Sequence, residues 1–448
     1  MPKVTFLRHA FFNRTYDRDI LALALPALGA LAADPLVSLV DTAFVGRLDA
    51  TALGALGVNT AIFSLAFFVF NFLAYGTTPM IGRAVGRGDQ AAAGRTVTQA
   101  LTLAVVLGVL ALVFLELFAQ PIVTLMGATG ELQEPALGYL RVRALAAPAV
   151  LLITAGNGVF RGFQDTRTPL VITLWLNAVN LVLDPLLIFG LGWGLVGAAV
   201  ATTVAQWVGA VWFVALLLGA KREAFAVPLA LPRLKELRPF LKIGWELAVR
   251  TFSLLATLTL ATAVATRLGV LEVAAHQVAA QLWLFLALTV DALAIAAQAL
   301  VAKYLGEGKR GEARAVSNRL LFLGLGVGVL LGVAFWLLRP YLAGLFTDDP
   351  VIVETVLTLF PFVALMQPLN ALVFVWDGVF VGKEAFAYLA GAMVVSSLVA
   401  VALLLLVIPL GWGLAGVWWA IVAFMLMRAL TLWVRYWRDG REMAENGA

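Results

Sequence analysis

Residues 157–162 read NGVFRG, and residues 377–382 read DGVFVG, 220 positions further on. The same displacement carries IGRAVGRGDQAAAGR at 81–95 onto VAKYLGEGKRGEARA at 301–315, so that Arg83 falls on Lys303, Gly86 on Gly306 and Gly88 on Gly308. GWGLVG at 192–197 returns as GWGLAG at 411–416, displaced by 219. A register held over so long a distance means one structural unit written twice.

The residues around these matches set the solvent. Of 448 residues, 62% are hydrophobic and 13% charged, against about 25% charged in soluble domains. Gly, Pro and charge clusters cut the chain into apolar stretches, most of them about 20 residues or longer, the length a helix needs to cross a bilayer. Twelve spans are expected, near 20–45, 53–80, 95–118, 136–160, 168–190, 194–219, 240–266, 272–301, 316–338, 351–382, 385–409 and 413–434. The first 19 residues are too charged for a signal peptide's apolar core and are expected to lie as a short amphipathic segment on the membrane. The chain has no cysteine, which excludes disulfides and cysteine-based metal or redox chemistry.

The net charge of +5 is topology rather than a nucleic-acid surface. With a cytoplasmic N-terminus, 25 of the 31 Lys and Arg fall in the segments on that side, including Arg428 in the C-terminal tail. The opposite side holds Arg47, Arg267 and Arg339, and Arg141, Arg143 and Arg250 fall inside spans. That is the positive-inside pattern, with both termini cytoplasmic. The domain reading is a first lobe over 1–219, a cytoplasmic linker over 220–239 and a second lobe with its tail over 240–448. Six spans per half make both copies enter from one side, as in transporters with parallel repeats. Duplication alone would also suit a channel.

Charged side chains within spans are costly and usually serve function. Asp34, Asp41, Asp184, Glu246, Asp291 and Asp377 are the candidates. Asp41 lies about 7 Å before the end of its span and Asp184 about 9 Å before the same level, with Thr202 about 12 Å into the span that follows. Asn177, Asn180 and Asp184 share one helix face. Pro185 leaves the Leu181 carbonyl without its usual donor. Two carboxylates, amides, a hydroxyl and a free carbonyl form an oxygen-rich pocket, suited to protons, a hard cation or a cationic substrate. Asn177 fits a helix clamp as well as a functional group. Asp34, two turns below Asp41, either lines the same cavity or bonds a neighbouring helix. In the second half, Glu246 and Arg250 stand i, i+4 and are expected to pair, and Asp377 fits either role. His276 reads as a packing residue, and Pro26 and Pro35 as kinks in span 1. No phosphate-binding loop, H-E-x-x-H or nucleophile elbow occurs, so neither an ATP-driven pump nor an enzyme is expected.

VDTAFVGRL at 40–48, NGVFRGFQDTRTP at 157–169, NLVLDPLLIFGLGWGLVGAAVATTVAQ at 180–206 and AAHQVA at 274–279 resemble the multidrug and toxic compound extrusion (MATE) family, in its DinF-like prokaryotic branch. The resemblance covers the whole chain. It implies an all-α membrane protein of twelve transmembrane helices in two pseudo-symmetric six-helix lobes. It also implies secondary antiport: organic cations or amphipathic drugs leave as H+ or Na+ enters, with no cofactor and no nucleic-acid partner. The expected setting is the inner membrane of a prokaryote, as a monomer. The resemblance assigns the cation site to Asp41, Asn180, Asp184 and Thr202, with Asn157 nearby and Na+ possible at the first four. Other branches use positions matching Glu246 and Asp377. A lipid-linked precursor flippase of related fold is the alternative, and it would need Arg141, Arg143 and Arg250 to line one basic cavity.

Overall fold

The computed structural model describes residues 14–345 and 349–445. The amphipathic segment expected at the N-terminus lies largely outside them. The described residues are helical, with ten helices long and apolar enough to cross a membrane and two bent pairs that bring the number to twelve. They form two compact units, Leu25–Gly244 in one and the residues up to Ala24 with Trp245–Ala448 in the other. The first helix, α1 (Asp17–Val45), therefore begins in the second unit. There Arg319 grips the Asp17 carboxylate through Nε at 2.7 Å and Nη2 at 2.8 Å. The helix that opens the second half, α10 (Leu234–Leu268), does the reverse and begins in the first unit.

In the first half, α2 (Ala50–Phe68) and α3 (Phe72–Gly86) make one span joined by a short tight turn. They are followed by α4 (Gln90–Leu117), α5 (Ala119–Leu125), α6 (Gln133–Ala144), α7 (Ala147–Gly162), α8 (Arg167–Pro185) and α9 (Gly194–Ala215). The second half continues through α11 (Val270–Gly306), α12 (Arg310–Gly344), α13 (Pro350–Leu365), α14 (Gln367–Gly382), α15 (Phe386–Val407) and α16 (Gly413–Glu445). Two expected spans, 136–160 and 351–382, are not single rods. Each is a pair of helices, α6 with α7 and α13 with α14, bent by 49° and 48°. Pro148 and Pro368 begin the second member of each pair, where their missing N–H costs no helical bond.

The repeat is written in the packing. A methyl group on Gly158 would lie 2.7 Å from Cα of Ala74, and one on Gly378 would lie 2.8 Å from Cα of Ala294. Gly108 leaves the same shortage of room against Pro148 as Gly328 does against Pro368. All four pairs obey the 220-residue displacement. Helices approach this closely only where no side chain intervenes. The turns repeat too: Gly88 and Gly308 have φ of 73° and 74°, and Gln164 and Glu384 have φ of 64° and 59°.

Candidate functional site

The polar groups do not repeat as the scaffold does. The positions displaced by 220 from Asp41, Asn180 and Asp184 are Ala261, Ala400 and Leu404, so each unit carries its own set.

In the first unit, α8 positions three of the candidates. Asp165 fixes its start, accepting from the Arg167 and Thr168 N–H groups at 3.0 and 2.9 Å. Pro185 closes it, and the chain widens into a π-helical turn over Leu186–Gly190 in which Leu191 N–H reaches back to the Leu186 carbonyl at 2.8 Å. Gly197 near the start of α9 packs on the Leu187 carbonyl of that turn. This docking puts α9 beside the last turns of α8. Asn180 Nδ2 donates to Thr202 Oγ1 at 3.3 Å, and that hydroxyl donates to the Ala198 carbonyl at 2.9 Å.

Asp184 is fully buried, and Asp41 on α1 is half-buried beside it. Their carboxyl groups interact directly. Yet neither Asp184 oxygen, nor Oδ1 of Asp41, has a hydrogen-bond partner of good geometry. Buried polar atoms are seldom left so. The pair is thus an acceptor set with unused capacity, walled by an amide and a hydroxyl.

Arg143 on α6, also buried, lies near enough for its charge to act on Asp41. Its Nη1 donates to Gln206 Oε1 at 2.8 Å, and its guanidinium sits 4.9 Å from the centre of the Phe63 ring. Gln206 and Tyr139, which is near enough to act on Arg143, were not singled out from the sequence. Tyr139 stands one helical turn before Arg143, a spacing that was available as a signal.

The other candidates fall elsewhere. Asn177 Nδ2 donates to Asp34 Oδ1 at 3.1 Å. This joins α1 to α8 as Ser397 Oγ, donating to the Ser253 carbonyl at 3.0 Å, joins α10 to α15. Ser397 is the repeat mate of Asn177, and Ser253 is one residue from the mate of Asp34. The Asp34–Asn177 contact therefore has the marks of a helix clamp. Asn157 on α7 is half-buried, with Oδ1 lacking a partner.

In the second unit Arg250 on α10 reaches Asp377 on α14. Its Nη2 donates to Asp377 Oδ2 at 2.8 Å, and Arg428 Nη2 donates to the same oxygen. Arg428 was assigned from the sequence to the cytoplasmic side. It is buried within α16, where the carboxylate of Asp377 offsets its charge. Glu246 is half-buried on α10. Of the three arginines of the flippase alternative, Arg141 is exposed, Arg143 donates to Gln206 and Arg250 donates to Asp377. His276 is buried, with Nε2 3.2 Å from Thr262 Oγ1 and its ring edge-on to Trp418. Among the described residues no three His, Asp or Glu side chains gather as a metal cluster.

The family model MatE matches residues 26–186 and again 247–406, the two repeats. The chain is 35% identical to Protein DETOXIFICATION 43 of Arabidopsis thaliana, over 95% of this chain and 91% of that one. It is 28% identical to DNA damage-inducible protein F of Escherichia coli, over 96% and 94%. Among solved structures, a MATE protein in its bent conformation superposes with a TM-score of 0.87 over 96% of both chains, at 22% identity, which is a likeness of fold.

Proposed function

This chain belongs to the MatE family, whose members are transporters and not enzymes, and we propose that it is a secondary active multidrug exporter. It exchanges cationic or amphipathic organic compounds for H+ or Na+ by alternating access. The observation that carries this reading is the Asp41–Asp184 pair, in which both Asp184 oxygens and Oδ1 of Asp41 lack hydrogen-bond partners of good geometry. Such a pair can take one positive charge at a time and release it.

Asn180 and Thr202 add neutral oxygens, the ligand type a hard monovalent ion prefers. An organic cation is held while the pair is negative. A proton or a sodium ion arriving at Asp41 and Asp184 removes that negative charge and frees the cation. Na+, where it is the coupling ion, would be held by Asp41, Asn180, Asp184 and Thr202. In this reading Asn157 lines the approach, Asp34 and Asn177 keep α1 against α8, and Asp377 with its two arginines stabilises the second unit. Glu246 is kept as a secondary site. The protein works as a monomer in the plasma membrane of a prokaryote, with both termini in the cytoplasm.

The test is efflux of a fluorescent organic cation from proteoliposomes under separately imposed proton and sodium gradients. Export driven by one gradient, and lost in Asp41→Asn and in Asp184→Asn, is expected. Unchanged export in both variants would end this assignment of the site.

A further inference from the structure

The ends of the first-half helices near Gly94 and Phe163 are closed by the connector that follows α9. Gly94 sits against the Ala226 carbonyl with no room for a side chain, and Phe163 stacks on Phe225 with ring centroids 3.7 Å apart. The repeat mates of Gly94 and Phe163 are Arg314 and Lys383. Among the described residues a different element packs on them. There α16 runs on past the membrane-length stretch and brings Tyr436 and Asp439 alongside.

A cavity of about 230 Å³ results, lined by Arg310, Arg314, Ser317, Lys383, Asp439 and Glu442. A water takes roughly 30 Å³, so a group of several heavy atoms fits. Its charges are unevenly answered. Asp439 is held twice, by Lys383 Nζ at 2.7 Å and Arg435 Nε at 3.1 Å. The Arg314 guanidinium is fixed flat, 3.4 Å from the centre of the Tyr436 ring, with Nη1 on the Tyr436 carbonyl at 2.6 Å and Gly440 close to Nη2. Arg310 is exposed at the mouth. Glu442 is the one acid lining the cavity without such a clamp.

The start of α12 carries both signs: Arg310 and Arg314 flank Glu312, which accepts from the Tyr16 hydroxyl, and Lys309 pairs with Glu307 at 2.7 Å. At the matching place in the first half, the Asp89 carboxylate caps α4, accepting from Ala92 N–H at 2.8 Å. Lys309 takes that position before α12, and no side chain caps the first turn. Its uncapped N–H groups stand beside Arg310 and Arg314, with Glu312 in the same turn, so the two arginines carry the attraction for an anion. Two exposed tryptophans on α16, Trp433 and Trp437, stack 6.5 Å apart, and the Arg441 guanidinium lies 3.6 Å from the Trp437 ring. Tryptophan and arginine together at a helix end mark the level of lipid headgroups.

We propose that this cavity, between the ends of α11, α12, α14 and α16, binds the phosphate of an anionic phospholipid headgroup. Arg310 and Arg314 make the charge-assisted bonds, and the acyl chains lie along the apolar helices outside. The experiment is thermal unfolding of the full chain in detergent, titrated separately with phosphatidylglycerol, phosphatidylcholine and inorganic phosphate. Phosphatidylglycerol is expected to raise the midpoint by several degrees, and phosphatidylcholine to leave it near its starting value. Arg310→Gln and Arg314→Gln should each weaken the phosphatidylglycerol response by about tenfold in apparent affinity. Arg310→Gln, at the exposed mouth, keeps the test open should Arg314→Gln fold poorly. Equal responses to both lipids, unaltered affinity in Arg310→Gln, or a full shift from inorganic phosphate alone would each overturn the proposal.

Discussion

Asp184 and Asp377 are both buried carboxylates, and the surroundings of each give opposite consequences on neutralisation. Asp377 stands between Arg250 and Arg428. Removing its charge in Asp377→Asn takes the carboxylate from the buried Arg428 guanidinium and breaks its bond to Arg250. The cost of breaking such a buried ion pair is about 3–5 kcal/mol. Chemical unfolding of the purified variant in detergent should show a loss of that order. Asp184 has no arginine clamp and no hydrogen-bond partner of good geometry for either oxygen. Asp184→Asn replaces a buried carboxyl by an uncharged side chain of nearly the same shape. Its unfolding midpoint should match or exceed the parent's, while coupled export falls at least about tenfold, roughly 1.4 kcal/mol in barrier terms. Stability lost at Asp377 with transport lost at Asp184 is the pattern expected. A marked fall in stability at Asp184 would mean that its carboxyl serves the fold.

At the level of helices, close approach carries the energetics. A methyl group at Gly378 would press on Cα of Ala294 and on the carbonyl beside it, and backbone cannot rotate away as a side chain can. Gly378→Ala should therefore destabilise by about 1–3 kcal/mol, the usual cost of overpacking. Gly391, inside α15, has open space where its Cβ would stand. Gly391→Ala should be neutral or stabilising by up to about 1 kcal/mol, since alanine is the better helix former. Urea or guanidinium unfolding of the two variants side by side checks both signs. The spans themselves were legible because a bilayer selects for apolar length, which any window of sequence reports. The breaks before Ala147 and Gln367 were not read, although Pro148 and Pro368 stand at matching places and signal them. The grouping of Asp41 with Asp184 and Thr202 could be approached by counting rise along helices, since all three lie near the same span ends. The Arg250–Asp377–Arg428 cluster could not, because 127 and 51 residues separate the partners and no local period relates them.

The whole molecule is a duplication in which scaffold and chemistry diverged. Matching glycines, prolines and turns hold the two six-span units in one register. The acids face each other in one half, and a carboxylate is gripped by arginines in the other. An even number of spans per unit requires both copies to enter the bilayer from the same side, which makes matching loops in the two halves reach the same compartment. The absence of cysteine from the natural chain makes this directly measurable, because each introduced thiol is the sole site of reaction. Gln90 and Lys309 are exposed, at the basic ends of the helices, and Leu191 and Leu410 are exposed at the opposite ends. In intact cells a membrane-impermeant maleimide should label Leu191→Cys and Leu410→Cys. Gln90→Cys and Lys309→Cys should react only after the membrane is opened, as the distribution of Lys and Arg requires. Reversal of all four sites would invert the orientation and leave the parallel repeat standing. Labelling of Leu191→Cys and Leu410→Cys from opposite sides would instead break the parallel repeat.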